Sequence, residues 1–278
     1  MNRVPFSPRR IWVVAHNTVL EALRQKLLAF LLVLAMALVV GARWLRDFNF
    51  GAPELRFVAD CGLGAIAILG PALTIAATVQ LFFGEIENRT VLTLLAKPVW
   101  RAEFVLGKFA GVAFVAALFC GAVTALLAVV LWFRQRELVA LHPEAFPAGG
   151  TIDYAGLAMA GALHWLEFAV LAALILLVAS YARAQLFAAV TGFLLLIVCH
   201  LQHLAYEAGS RSDSALGRAA AALLNRALPN FQMFGLADRF VDSPAPGWDQ
   251  FGRVVAYACC YIAAGCALAI FSFRRREI

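Results

Sequence analysis

Charge is what this sequence has least of. Of its 278 residues only 14% are Asp, Glu, Lys or Arg, while 63% are hydrophobic; a soluble domain carries roughly 25% charged residues. An ordinary soluble domain is therefore excluded. The few charges are also bunched, with none between Asp60 and Glu85, Lys108 and Arg134, Arg183 and Glu207, or Arg253 and Arg274. A helix rising about 1.5 Å per residue needs roughly 20 apolar residues to cross a hydrocarbon core of about 30 Å, and each gap is long enough. A fifth stretch runs from Leu27 to Leu45 with only Arg43 near its end. A sixth, between Asp153 and Arg183, holds a single acid, Glu167.

Other absences narrow the class. The six cysteines, Cys61, Cys120, Cys199, Cys259, Cys260 and Cys266, lie in or beside apolar runs without the spacing of a disulfide framework or a metal knuckle. The solid runs lack the ten-residue alternation of an outer-membrane barrel. Gly107-Lys108 resembles the end of a phosphate-binding loop, but that loop needs Gly where Ala102 stands and Ser or Thr where Phe109 stands. No nucleophile and base are paired in a recognisable way. The chain itself is thus expected to be neither an enzyme nor a nucleotide binder, with no metal site and no cofactor bound directly.

What is present predicts an all-α integral membrane protein. Its six transmembrane helices are expected over about 27–45, 61–83, 109–133, 156–181, 184–206 and 254–273, in a single membrane domain over residues 1–278. If both termini are cytoplasmic, the inner segments carry 13 basic residues against five acidic ones, a balance of +8, and the outer segments balance at −1. Lys and Arg concentrate on the cytoplasmic side of membrane proteins, so the termini are expected inside and the chain in the cell's inner membrane. The basic excess is then a topology signal and requires no nucleic-acid partner. Ala35-Met36-Ala37 resembles a signal cleavage site, but the apolar run continues past it and a long patterned segment precedes it, so a retained first span is expected.

Residues 7–26 read as an amphipathic helix at the membrane surface, with Ser7 as N-cap and Pro8 at the first helical position. Ile11, Trp12, Ala15, Val19, Ala22 and Leu23 fall on one arc, and Arg10, Asn17, Glu21 and Arg24 on the other. Residues 205–252 read as an outer cap, with a helix from Ala215 to Leu228 and an aromatic-rich run after Pro229.

The most patterned polar stretch joins the second and third spans. Val91, Leu92, Leu94 and Leu95 share a face away from Arg89, Thr90 and Thr93, and Pro98 ends the turn by disfavouring a helical Lys97. Glu103 falls in the first turn of the next span, where a negative charge complements the helix dipole. A short amphipathic helix at the cytoplasmic surface is expected.

This stretch resembles that of the permease subunits of type 2 ATP-binding cassette exporters. The matching residues are Glu85, Glu87, Arg89-Thr90, Leu94-Leu95, Lys97-Pro98-Val99, Arg101, Glu103 and Leu106-Gly107-Lys108; Arg89 stands where the family often has glycine. The surface helix, the six spans and Leu228-Pro229-Asn230-Phe231 before the last span extend the likeness. The resemblance implies that residues 85–108 form a coupling helix docked on a separate cytoplasmic ATPase, which would hold ATP and Mg, and that the surface helix braces the contact. It further implies a second permease copy, as homodimer or heterodimer, and membrane lipid as surroundings.

Glu167 lies near the middle of the fourth span, where an unpaired carboxylate costs at least about 2.5 kcal/mol on insertion scales. His164 is on the same helical face, and His200 and His203 are similarly spaced in the fifth span. Their readings are helix-to-helix hydrogen bonding, an element of a substrate path, or a metal site. A proton-coupled carrier or intramembrane enzyme using Glu167 and these histidines is the alternative to an ATP-driven exporter.

Overall fold

The computed structural model describes residues 6–44, 54–87, 100–141, 152–210, 215–235 and 248–275. Among them the secondary structure is helical throughout: α1 (Pro8–Leu23), α2 (Lys26–Gly41), α3 (Glu54–Glu87), α4 (Arg101–Leu141), α5 (Tyr154–Tyr181), α6 (Gln185–Ser210), α7 (Ala215–Ala227) and α8 (Trp248–Arg275), with a 3-10 turn at Phe231–Met233. Five of these helices, α3, α4, α5, α6 and α8, are each long and apolar enough to cross a membrane. The α1–α2 pair, bent by 68° at its break, makes a sixth candidate.

α5 is the axis of the bundle. It packs on α3, α4, α6 and α8, and 78% of its most apolar stretch is buried, against 22% for α6 and 28% for α8. Its start is fixed by Asp153, whose Oδ1 accepts the Ala155 N–H at 3.0 Å, an N-cap contact. α6 and α8 lie at the edge and turn large apolar side chains such as Phe187, Phe193, Ile197, Leu268 and Phe271 outward, as lipid-facing helices do.

Two helices run longer than the apolar gaps predict. α4 continues past residue 133 to Leu141 because no proline or glycine interrupts it and Arg134 bonds Glu137 one turn on, at 2.7 Å. Arg134 also makes a two-pronged contact with Glu54 at the start of α3, at 2.6 and 2.9 Å, and Arg43 reaches Glu137 at 2.8 Å. α3 contains Pro71, which lacks the N–H for the helical ladder. The Thr74 and Thr78 hydroxyls bond back to the Gly70 and Thr74 carbonyls at 2.8 and 2.7 Å along the same stretch.

The described part of the cap is tied down. Gln202 of α6 donates to Asn225 of α7 at 2.6 Å. The Asn230 N–H donates to the Tyr257 hydroxyl of α8 at 2.7 Å, and Phe231 and Phe234 are buried.

Candidate functional site: the junction at the 88–99 segment

Residues 88–99 lie outside the described residues, so the expected coupling positions Arg89, Thr90, Leu94, Leu95, Lys97 and Pro98 do too. Glu85 and Glu87 fall in the last turn of α3. The end of α3 and the start of α4 meet α1 and α8 at a cluster of Phe82, Phe83, Phe104 and Phe273, with ring centroids 5.7 to 6.1 Å apart. All four rings are almost fully buried.

Glu103 organises the polar layer around those rings. It is 0% exposed. Its carboxylate accepts the Ser7 N–H at 2.8 Å and the Trp100 N–H at 3.0 Å, and meets Arg10 at 3.2 Å. The Trp100 contact is the reach of a third-position acid back to the N-cap amide, half of a capping box. Ser7 stands at the expected N-cap of α1 with an extended backbone, but its side chain makes no cap bond. Its amide is held by Glu103 instead.

Lys108 is 1% exposed. Its Nζ lies 3.7 Å from Glu21 of α1 and 5.9 Å from the Phe104 ring centre. Arg101 donates to the Phe273 and Arg274 carbonyls at 3.2 and 2.8 Å, so a cation closes the C-terminal end of α8, where the helix dipole favours it. Glu103 and Lys108 therefore turn inward and hold α1 on α4. Neither offers its charge to an outside surface.

Glycine explains how close α1 comes. A Cβ on Gly107 would stand 2.6 Å from Val14, and one on Gly111 would stand 2.6 Å from Thr18. The Gly-x-x-x-Gly spacing thus accommodates the chain's own N-terminal helix. The strip of α1 seated there is Val14, Ala15, Thr18 and Ala22, rotated from the predicted apolar arc. Trp12 and Leu23 remain exposed. Of the predicted polar face, Arg10 and Glu21 are drawn into ion pairs while Asn17 and Arg24 stay exposed. The amphipathic pattern gives the helix and its two faces, but not the angle at which the glycines receive it.

A second polar cluster sits mid-bundle. Glu167, 5% exposed, has His164 Nδ1 at 3.5 Å and His200 Nε2 at 3.4 Å. His164 is equally buried, and its ring nitrogens have no hydrogen-bond partner among the described residues. His200 also approaches the Leu196 carbonyl at 3.0 Å and stands edge-on to Phe231 of the cap, centroids 5.3 Å apart. His203 is not brought in: its Nδ1 lies 3.2 Å from the His200 carbonyl of its own helix. Among the described residues no group of three His, Cys, Asp or Glu side chains is placed to hold a metal ion.

A bundle of long apolar helices with a charge-locked N-terminal arm is the build of a multi-pass membrane protein. The chain belongs to the ABC-2 family of transporter proteins, whose family profile matches residues 12–278. It is similar to proteins described as "Probable ABC transporter permease protein NosY". The one from Stutzerimonas stutzeri is 29% identical over 136 residues, 46% of this chain and 49% of that protein. The one from Pseudomonas aeruginosa is 29% identical over 133 residues, 43% of this chain and 46% of that protein. The match spans about half the length of these curated relatives.

Proposed function

We infer that the chain is the membrane-spanning subunit of an ATP-driven exporter in the cell's inner membrane, with both termini cytoplasmic and no catalytic activity of its own. A separate cytoplasmic ATPase supplies ATP and Mg chemistry, and two permease copies, identical or related, enclose the path. Family membership supports a transporter subunit. The direction of transport rests on the resemblance of residues 85–108.

The observation that carries the coupling reading is the junction of α1, α3, α4 and α8. The 88–99 segment springs from two helix ends locked by Glu103, Lys108, Arg101 and the four phenylalanines. A segment rooted in a packed, charge-locked layer moves its helices as a body when pushed, because packed interfaces shift between discrete arrangements. Glu85, Thr90 and their neighbours would make the contact, while Glu103, Lys108 and Arg101 make its base stiff. The test is co-purification with the ATPase, paired with Glu85→Ala and Thr90→Ala. Loss of ATPase association and of cellular export is expected. An unassociated wild-type chain, with export intact in both variants, ends the coupling reading.

A second reading concerns the path. The under-bonded Glu167–His164–His200 cluster favours a polar station for substrate between α5 and α6, facing a cap residue. A proton-coupled carrier built on the same cluster predicts activity from the isolated chain without ATP. Transport by purified chain in vesicles with a pH gradient and no nucleotide distinguishes the two.

A further inference from the structure

The apolar arc of α1 is wider than the strip that α4 covers. Around the helix, the seated residues Val14, Thr18 and Ala22 have Arg10 and Glu21 on one flank and Trp12, Val19 and Leu23 on the other, the first within about 80° and the second about 100–140° from the strip's centre. The first flank is held by ion pairs. The second is covered only in part: Val19 packs against the core, while Trp12 is 70% and Leu23 62% exposed. Between that flank and α4 runs a groove of about 350 Å3, lined among others by Pro8, Ile11, Trp12, His16, Ala110 and Phe114. Small-molecule sites have volumes of about 300–1,000 Å3.

The groove has a direction. α1 and the start of α4 run side by side in the same sense, since Val14 meets Gly107 and Thr18 meets Gly111. One end therefore lies at Pro8, beside the beginning of α4, and the other reaches Phe114, farther along the span. Arg9, next to Pro8 in the chain but not itself lining the groove, is exposed near the first end. By its spacing it shares a helical face with Trp12 and His16. A channel that is cationic at the Pro8 end and apolar at the Phe114 end matches an anionic phospholipid whose headgroup lies at the Pro8 end. Basic residues on an amphipathic helix attract anionic headgroups, and tryptophan settles at headgroup level.

We propose that the groove between α1 and α4 binds one anionic phospholipid, its headgroup at Arg9 and one acyl chain between Trp12 and Phe114. The lipid completes the seat of α1, so that the arm is held by charge on one flank and by lipid on the other. The inference needs membrane residence, the seating of α1 and its Pro8 end at headgroup level, and stands or falls apart from the coupling reading.

The test is native mass spectrometry of the full chain equilibrated with equal phosphatidylglycerol and phosphatidylcholine in detergent. One tightly retained phosphatidylglycerol per chain is expected. Ala110→Trp, which fills the groove, lowers retention of either lipid about tenfold, a change of about 1.4 kcal/mol. Arg9→Gln removes the preference for phosphatidylglycerol and leaves binding. Quenching of wild-type tryptophan emission by chain-brominated phosphatidylglycerol, with the loss measured against Trp12→Phe, gives a readout that does not depend on how Ala110→Trp folds. Equal retention of the two lipids by the wild type overturns the proposal, as do unchanged retention in a folded Ala110→Trp chain and quenching that is the same in Trp12→Phe.

Discussion

Glu103 and Glu167 are both buried acids in the same bundle, and they are satisfied very differently. Glu103 has two backbone N–H donors and a guanidinium between 2.8 and 3.2 Å. Glu167 has two imidazoles, at 3.4 and 3.5 Å, and no backbone N–H or guanidinium contact among the described residues. Hydrogen bonds weaken steeply as they lengthen, and a buried polar group left poorly bonded costs about 1–3 kcal/mol. The first arrangement fixes geometry, because every donor that Glu103 receives belongs to an element that must stay put. The second leaves its polar capacity open to another partner.

That contrast is broken most directly at Glu103. Removing one partner of a buried charge pair costs about 3–5 kcal/mol, and because Arg10 is 22% exposed the lower figure applies. Glu103→Ala is expected to depress thermal unfolding of the purified chain sharply and to free α1 for proteolysis. A wild-type melting profile removes Glu103 from the brace. Gly111→Leu attacks the same seat from the apolar side and should cost about 1–3 kcal/mol through overpacking. The measurement is loss of a disulfide cross-link engineered between α1 and α4; a cross-link that forms as in the parent rules out the close approach. Glu167→Gln keeps the shape and should change stability by under about 1 kcal/mol while lowering ATP-driven transport in vesicles. The opposite pair of results, lost stability with full transport, would make Glu167 a packing residue like Glu103. His203→Ala should be the mildest, within about 0.5 kcal/mol and without a transport effect; a transport loss equal to that of His200→Ala would bring it into the cluster.

The sequence makes some of this legible and hides the rest for identifiable reasons. The charge gaps, with the stretch that holds Glu167 alone, locate the long helices among the described residues because the cost of charge in hydrocarbon acts locally along the chain. Glu103 is readable as an acid in a first turn, since capping involves neighbours three residues apart. Its grip on Ser7, 96 residues away in sequence, is a tertiary fact that no local pattern encodes. The same holds for Gly107 and Gly111: their spacing signals a close helix but does not say that the helix is α1. His164 and Glu167 share a face by periodicity alone. Choosing His200 over His203 as the third member required the register of α6 on α5, which turns one histidine toward Glu167 and leaves the other on its own backbone.

Pro71 gives the two helices that meet at the 88–99 segment unequal stiffness. α4 is one rod of 41 residues, about 60 Å long, free of proline and anchored near both ends by Glu103 and Arg134. α3 carries Pro71 partway along, where the ladder lacks a rung and can bend. Under the proposed coupling, a thrust on the segment would pass along α4 more directly than along α3, whose ladder is interrupted at Pro71. Spin-label distances along α3 in wild-type and Pro71→Ala chains would measure that difference: a rigid α3 in both means a straight piston.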